Sequence, residues 1–406
     1  MHLAAQARHA IPTVRLNTAV GALPQATTGV IAVVPDRWRG YWQPRHQVLS
    51  RLATYFPVVW VEPSRHWRTT PQAASPHASP PPPGLFVHEA ELWLPHFHTR
   101  RLGSWTYRAR LHRARRRLQR LGCRRIVLYV WRPEFADAVK LVPHDFCCYH
   151  IDDEYSFTDH DVPNSPIELD LIRSADHVIV HSRTLLAKKG GINPRTSLIP
   201  NGVAFDAFAR PAVEPPDLAS IPRPRIGYVG YLKRQLDWPL MQALADRHPA
   251  WSFVLVGPIA PHPDLRPELD ALARRPNVHF LGAKDVATLA AYPQHFDVCT
   301  MPYRLTADGH YIFPLKLHEY LASGRPTVGT PIASLLDFAD VVTIARTVDE
   351  WSAGIQALLD PAASAPGAVE RRRAVARAYD WNVLVQRIAE IMLPGLSHSR
   401  KNGSPG

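Results

Sequence analysis

Residues 313–331 read FPLKLHEYLASGRPTVGTP. Proline at the first turn (Pro314), glycine just past the last (Gly324) and the β-branched pair after Pro326 predict a short helix feeding a strand that runs into Gly329. Leu317 and Leu321 share one face of that helix, and Lys316 and Glu319 point elsewhere. A helix N-terminus gathers unpaired N–H groups and partial positive charge, which suits a phosphate. Lys316 adds a full charge in the first turn. Glu319, one turn on, is spaced to accept two hydrogen bonds from the vicinal diol of a ribose. Together they read as a clamp for a nucleoside diphosphate; taken alone, the same pair is an ordinary Lys and Glu on an amphipathic helix, so the neighbourhood decides.

The chain has 406 residues, 46% of them hydrophobic, which is long for one core and suits two domains. No apolar run approaches the length of a membrane-spanning helix. Residues 1–27 carry Arg8 and Arg15 and no unbroken apolar block, so they read as a leader without order and not as a signal peptide. Cys123, Cys147, Cys148 and Cys299 show neither metal spacing nor disulfide arithmetic, so no metal site is expected and the thiols are expected to be buried in a cytoplasmic protein. Charge is uneven: residues 1–130 hold 19 Arg, no Lys and four acids, a balance of +15, against +12 for the whole chain. The basicity belongs to the N-terminal part and predicts a polyanionic partner there: an anionic membrane surface, a lipid-linked pyrophosphate or nucleic acid.

Val30–Val34 predicts a buried first strand, Gln47–Tyr55 a helix and Val58–Val61 a second strand, a βαβ unit. The loop DRWRGYWQPRH (36–46) follows the first strand, where open α/β sheets bind ligands, and its Trp42 and Arg45 are candidates for stacking on a sugar and holding a phosphate. The alternative is loop aromatics packed on the domain surface. Pro71–Gly84 is too proline-rich for helix or ladder. In 105–121, Tyr107, Leu111, Ala114, Leu118 and Leu121 fall on one helical face and seven arginines, among them Arg108, Arg115 and Arg116, cover the rest. That pattern is an interfacial membrane anchor or a helix docked on a sheet with a solvated arginine face; with the +15 balance, peripheral membrane contact is favoured.

The predicted strand 146–151 ends in Asp152-Asp153-Glu154. Three adjacent carboxylates repel one another, and such crowding raises a pKa toward that of a competent base, with Asp153 the first choice and a helix cap or solvated turn the alternative. Ser182 is placed to cap a helix ending at Lys189, and Asn201-Gly202 closes a further strand. The proline-rich 211–224 reads as a linker. Beyond it the βα pitch restarts (Arg225–Gly230, Asp237–Arg247, Ser252–Gly257, Val278–Gly282, Phe296–Thr300), a second doubly wound parallel sheet. Gly227 and Gly230 permit the close backbone approach that a diphosphate-binding turn requires. Neither GxGxxG with its acidic partner nor GxxxxGK[ST] is present, which disfavours a dehydrogenase or a P-loop NTPase.

Several segments resemble the GT-B glycosyltransferases, particularly the family-4-like bacterial enzymes of exopolysaccharide and teichuronic-type polymer synthesis: IPNGV (199–203), IGYVG (226–230), WSFVLVGP (251–258), FDVCTMPY (296–303), PLKLHEYLASGRP (314–326), Trp381 and, in the N-terminal half, YHIDDEY (149–155). The resemblance spans about 150–390 and is most specific at Pro314. It implies two Rossmann-like domains facing across a cleft, the donor nucleotide-sugar held by the C-domain and the acceptor by the N-domain. The expected divisions are a leader (1–27), an acceptor-binding domain (28–210), a linker (211–224), a donor-binding domain (225–380), a last helix (381–393) and a disordered tail (394–406).

By that resemblance Glu319 binds the ribose, Lys316 and the backbone after Pro314 and Leu315 bind the diphosphate, and Gly230 approaches the phosphates. Lys233 and Arg234 neutralise the leaving group in place of a metal. Asp153 is the presumed base, with Asp152 and Glu154 beside it. Many retaining members carry a glutamate where this chain has Tyr311, so donor-sugar contacts differ and the lean is to inversion. The implied activity is transfer of a sugar from a nucleotide-diphosphate sugar, UDP- or GDP-linked and with no further cofactor, to a membrane-lipid-linked or polysaccharide acceptor in cell-surface glycan synthesis. The location implied is the cytoplasmic face of the membrane. The competing readings are a nucleotide-sugar epimerase and a non-catalytic GT-B scaffold on anionic glycolipid; a nucleic-acid binder lacks a recognised module.

Overall fold

The computed structural model describes residues 27–40, 42–63, 80–89, 100–155, 165–260, 265–306 and 311–398. The leader to residue 26, most of the proline-rich 71–84 and residues 399–406 lie outside them. The described chain divides into two compact units. The N-terminal one runs to Pro200 and is completed by the helix from Trp381; the C-terminal one is Asn201–Asp380.

The N-terminal unit contains β1 (Thr28–Val33), α1 (Pro44–Leu52), β2 (Val58–Val61), β3 (Leu85–His88), α2 (Arg100–Arg120), β4 (Arg125–Val130), α3 (Ala138–Leu141), β5 (Phe146–Ile151), α4 (Pro166–Ser174), β6 (His177–Val180), α5 (Arg183–Lys189) and β7 (Thr196–Leu198). All seven strands are parallel, in the order β3-β2-β1-β4-β5-β6-β7. β1 and β5 are buried at every position, as unbroken apolar runs in a sheet covered on both faces must be.

Helix α2 resolves the two readings of its apolar face. Leu111, Ala114 and Leu118 are fully buried, and the helix packs on β1, β2 and α3. Gly29 of β1 allows this, since a Cβ there would lie 2.8 Å from Leu118 Cδ2. Burying each leucine contributes about 1.5–3 kcal/mol. The Leu111, Ala114 and Leu118 part of the face expected to enter a membrane is therefore core, and what α2 shows to solvent is mostly arginine, with Trp105 exposed near its start: Arg108 and Arg116 are exposed and Arg115 is half-buried.

The C-terminal unit contains α6 (Phe205–Ala209), α7 (Pro216–Ala219), β8 (Arg225–Val229), α8 (Trp238–Arg247), β9 (Ser252–Val256), α9 (Leu265–Ala273), β10 (Val278–Gly282), α10 (Val286–Leu289), α11 (Ala291–Gln294), β11 (Val298–Met301), α12 (Leu315–Ser323), β12 (Thr327–Gly329), α13 (Ala333–Leu336), β13 (Thr343–Ile344), α14 (Val348–Leu358) and α15 (Pro366–Arg377). Its six strands are parallel, in the order β10-β9-β8-β11-β12-β13. In both sheets the order reverses beside the first strand of the unit, between β1 and β4 and between β8 and β11. Loops leaving such a switch point diverge and open a crevice for a ligand.

The last helix, α16 (Trp381–His398), returns to the N-terminal unit and packs on α1 and β5. It runs through Pro394, where the tail was expected to begin. The stretch 211–224 is no linker: Leu218 and Ile221 are buried in the C-terminal core, and residues 201–210 also belong to that unit. Gly227 serves packing and not ligand approach, because a Cβ there would fall 2.0 Å from the Phe296 ring.

Candidate active site

In the C-terminal unit the site grows from α12. Pro314 is the extended N-cap residue and the helix begins at Leu315; no side chain caps the first N–H groups, of which that of Leu317 turns back to the Pro314 carbonyl at 3.2 Å. Leu317, Leu321 and Ala322 are fully buried. His318 stacks on Tyr379 at 3.9 Å, and the Tyr320 hydroxyl accepts the Val229 N–H at 2.8 Å, tying the helix to the end of β8. The incoming loop is held by Asn201 Nδ2, which donates to the Phe313 carbonyl (3.1 Å), and by Ser334 Oγ, which donates to the Ile312 carbonyl (2.7 Å). Gly324, at φ +79°, then ends the helix.

This scaffold brings Lys316, Glu319 and Gly230 together. A Cβ on Gly230 would lie 2.8 Å from Lys316 Cε, and Gly230 itself sits at φ +143°. Gly257, at φ +145°, backs against it, since a Cβ there would fall 2.0 Å from the Gly230 carbonyl oxygen. Two tyrosines absent from the expected site complete the cradle. Lys316 Nζ donates to the Tyr303 hydroxyl at 3.0 Å and lies 5.0 Å from the Tyr228 ring centroid, and the Tyr228 hydroxyl donates to the Tyr231 carbonyl at 3.1 Å. Burial raises both phenols well above their ordinary pKa, so they stay protonated. Both lie inside motifs, Tyr228 in IGYVG and Tyr303 in FDVCTMPY, which is the signal the sequence carries for them. Glu319 is half-buried; desolvation raises its pKa to about 7, against the opposing pull of Lys316. Lys233 is half-buried and Arg234 exposed in the loop after Gly230, and Tyr311 is buried.

In the N-terminal unit the acidic segment after β5 separates into three fates. Asp152 is buried and accepts from Arg45 Nη1 and from the Tyr155 hydroxyl. Glu154 is buried against Lys189 (3.0 Å) and Lys188 (3.4 Å), and Lys189, itself without exposure, also binds Glu168 at 2.7 Å. Asp153 alone faces solvent, its Oδ1 accepting the Glu154 N–H at 2.9 Å. The three carboxylates are therefore not crowded against one another uncompensated, because cations remote in sequence neutralise the two flanking acids. Arg45, expected to hold a phosphate, is buried and paired with Asp36 as well as Asp152, 5.9 Å from the Trp131 ring centroid. Trp42 is half-buried and stacks on His46 at 4.9 Å, and burial lowers His46 to a pKa of about 4, keeping it neutral. Ser182 caps α5, accepting the Leu185 N–H at 3.2 Å.

Residues 223–361 match the profile of the family described as glycosyl transferases group 1. TuaH of Bacillus subtilis (strain 168), whose name assigns it to teichuronic acid biosynthesis as a glycosyltransferase, is 29% identical over 232 residues, covering 54% of this chain. The Anabaena protein HepE, solved in complex with UDP, superposes with a TM-score of 0.64 at 15% identity over 90% of this chain and all of its own. Trehalose-6-phosphate synthase OtsA gives 0.65 at 14% identity, covering 90% of this chain and 99% of its own. The chain has the GT-B fold. Its match to TuaH spans a little over half of that relative's length, 57%. The GT-B fold accounts for the two parallel sheets and for the site at the β8/β11 switch point. Among the described residues no His/Cys/Asp/Glu cluster is suited to a metal ion, and no helix is long and apolar enough to cross a membrane.

Proposed function

We propose that the protein transfers a sugar from a nucleotide-diphosphate sugar, UDP- or GDP-linked and with no other cofactor, to a lipid-linked or polysaccharide acceptor in cell-surface glycan synthesis. The observation that carries this reading is the meeting of Lys316, Gly230 and Glu319 at the uncapped N-terminus of α12. A diphosphate there finds backbone N–H groups, a full positive charge and a glycine that lets it approach, while Glu319 takes the ribose hydroxyls. The name of the TuaH relative and the UDP in the HepE structure support the polymer class and the donor class.

In this reading Asp153 removes the proton from the acceptor hydroxyl as that oxygen attacks the anomeric carbon. The bond to the diphosphate breaks with inversion, and the leaving charge develops beside Lys316, with Lys233 and Arg234 on the following loop. Asp152 and Glu154 position Asp153 by fixing the segment on either side of it. The exposed arginines of α2, Arg108 and Arg116 among them, hold the protein to an anionic membrane surface by charge, without insertion of the buried apolar face.

The test is nucleoside diphosphate release from a panel of UDP-, GDP- and dTDP-sugars with a membrane lipid extract as acceptor. Lipid-dependent release that Asp153→Asn abolishes while nucleotide binding persists, and that Glu319→Ala abolishes together with binding, is expected. A wild-type protein that binds no nucleotide would overturn the reading, and release that survives Asp153→Asn would remove Asp153 from it.

A further inference from the structure

A second polar site lies in the C-terminal unit, at the other end of α12 from Lys316. A pocket of about 320 Å³ is lined by the segment entering β13, with Asp340 and Thr343, by Leu358 of α14 and by Arg371 and Arg372 of α15. That volume is at the small end of ligand pockets, which span about 300–1,000 Å³.

Arg372 is 7% exposed. Its Nε donates to the Gly324 carbonyl at 2.9 Å and its Nη2 to the Ala363 carbonyl at 2.5 Å. Those two bonds cap the end of α12 and the 3-10 turn Pro361–Ser364. Its Nη1 makes no hydrogen bond among the described residues and is not sealed within the protein. No carboxylate among them pairs with it either. Asp340, the one acid in the lining, is solvent-exposed and forms no ion pair with Arg372. The surrounding charge has the same sign: Arg371 is exposed and forms no ion pair among the described residues, and Arg325 is close enough to act on Arg372. Burial and these neighbours lower the Arg372 pKa to about 10, which still leaves it charged.

A buried guanidinium satisfied only by neutral carbonyls retains its demand for a counter-charge. An oxyanion meets that demand, and Arg372 can offer it Nη1, the guanidinium nitrogen left over from the two carbonyl bonds. We propose that this pocket is a binding site for a small phosphomonoester, its phosphate bridging Arg372 Nη1 and Arg371 and its carbon skeleton lying over Thr343 and Leu358. The site is separate from the diphosphate cradle and does not depend on sugar transfer.

The probes are inorganic phosphate and glycerol 3-phosphate at constant ionic strength, followed by phosphorus NMR and thermal unfolding of the full chain. The Lys316→Ala variant is used throughout, so that the cradle at α12 does not contribute. Saturable binding of glycerol 3-phosphate is expected, weakened about tenfold by adding Arg371→Ala, as loss of one charge-assisted contact implies. Arg371 is exposed, so that variant keeps its fold, which far-UV circular dichroism checks. Arg372→Lys should also weaken binding, since a point charge cannot cap two carbonyls and grip a phosphate together. Phosphate that binds as tightly as the ester would locate the recognition in the anion alone and remove the carbon skeleton from the proposal. Absence of saturable binding in Lys316→Ala, or binding indifferent to Arg371→Ala, would overturn the site.

Discussion

Glu319→Gln separates the burden of a buried carboxylate from its use. The Glu319 pKa is raised from 4.5 to about 7 by desolvation, with Lys316 pulling the other way. A raised carboxyl pKa means that the folded state holds the proton more tightly than the unfolded chain. The associated stability is complete below about pH 4.5 and is lost as pH rises through about 7. In a site closed to water a shift of that size corresponds to about 3 kcal/mol. The side chain is half-buried and water reaches it, so about 2 kcal/mol is the sounder expectation. Glutamine keeps the shape and cannot ionise. At pH 8.5 Glu319→Gln should therefore unfold some 4–8 °C above the wild type in the transition of the C-terminal unit, and at pH 4.5 the two should coincide. Calorimetry at the two pH values measures this. Nucleotide affinity should move the opposite way, because an ionised carboxylate accepts from both ribose hydroxyls and an amide offers one acceptor. Equal melting temperatures at both pH values, or a variant less stable at pH 8.5, would show that ionised Glu319 carries no burial cost.

Arg45→Ala leaves Asp36 and the buried Asp152 without their cation. Breaking a buried pair from one side costs about 3–5 kcal/mol, so the N-terminal unit should melt at least about 6 °C lower, measured by calorimetry with nucleotide binding as a control that does not change. Gly230→Ala places a methyl 2.8 Å from Lys316 Cε at φ +143°, a conformation that L side chains rarely adopt. Titration calorimetry should show UDP or GDP affinity reduced about tenfold or more, and pyrophosphate affinity reduced with it, because the lysine must move.

The α12 segment was legible because its information is local: proline, periodic leucines and glycine specify the helix and its ends without help from elsewhere. The βα pitch of both sheets was legible for the same reason. Interactions between distant parts of the chain were not. Nothing in 152–154 announces that Arg45, Lys188 and Lys189 arrive to neutralise it, so the segment alone reads as repulsive where the fold has ion pairs. Periodicity shows that α2 has an apolar face and is silent on whether a sheet or a lipid receives it; Gly29, some eighty residues away, decides. In 211–224 proline content masked Leu218 and Ile221, two anchors that make the stretch part of a core. Tyr228 and Tyr303 were visible as residues, but their partnership with Lys316 exists only once β8, β11 and α12 are assembled.

The return of α16 to the first unit bears on how the protein is made. α1 is synthesised early, yet the helix that packs on it follows all of residues 201–380. At about 5–20 residues per second, a ribosome needs roughly 10–40 s to cover that distance. Throughout that interval the α1 surface that α16 covers stands open to water and to other nascent chains. Leu384, Val385, Ile388 and Met392, all fully buried once the chain is complete, are the late-arriving side chains that close it. Nascent chains halted before Trp381 would carry a finished sheet with an unfinished flank, the kind of species that chaperones hold.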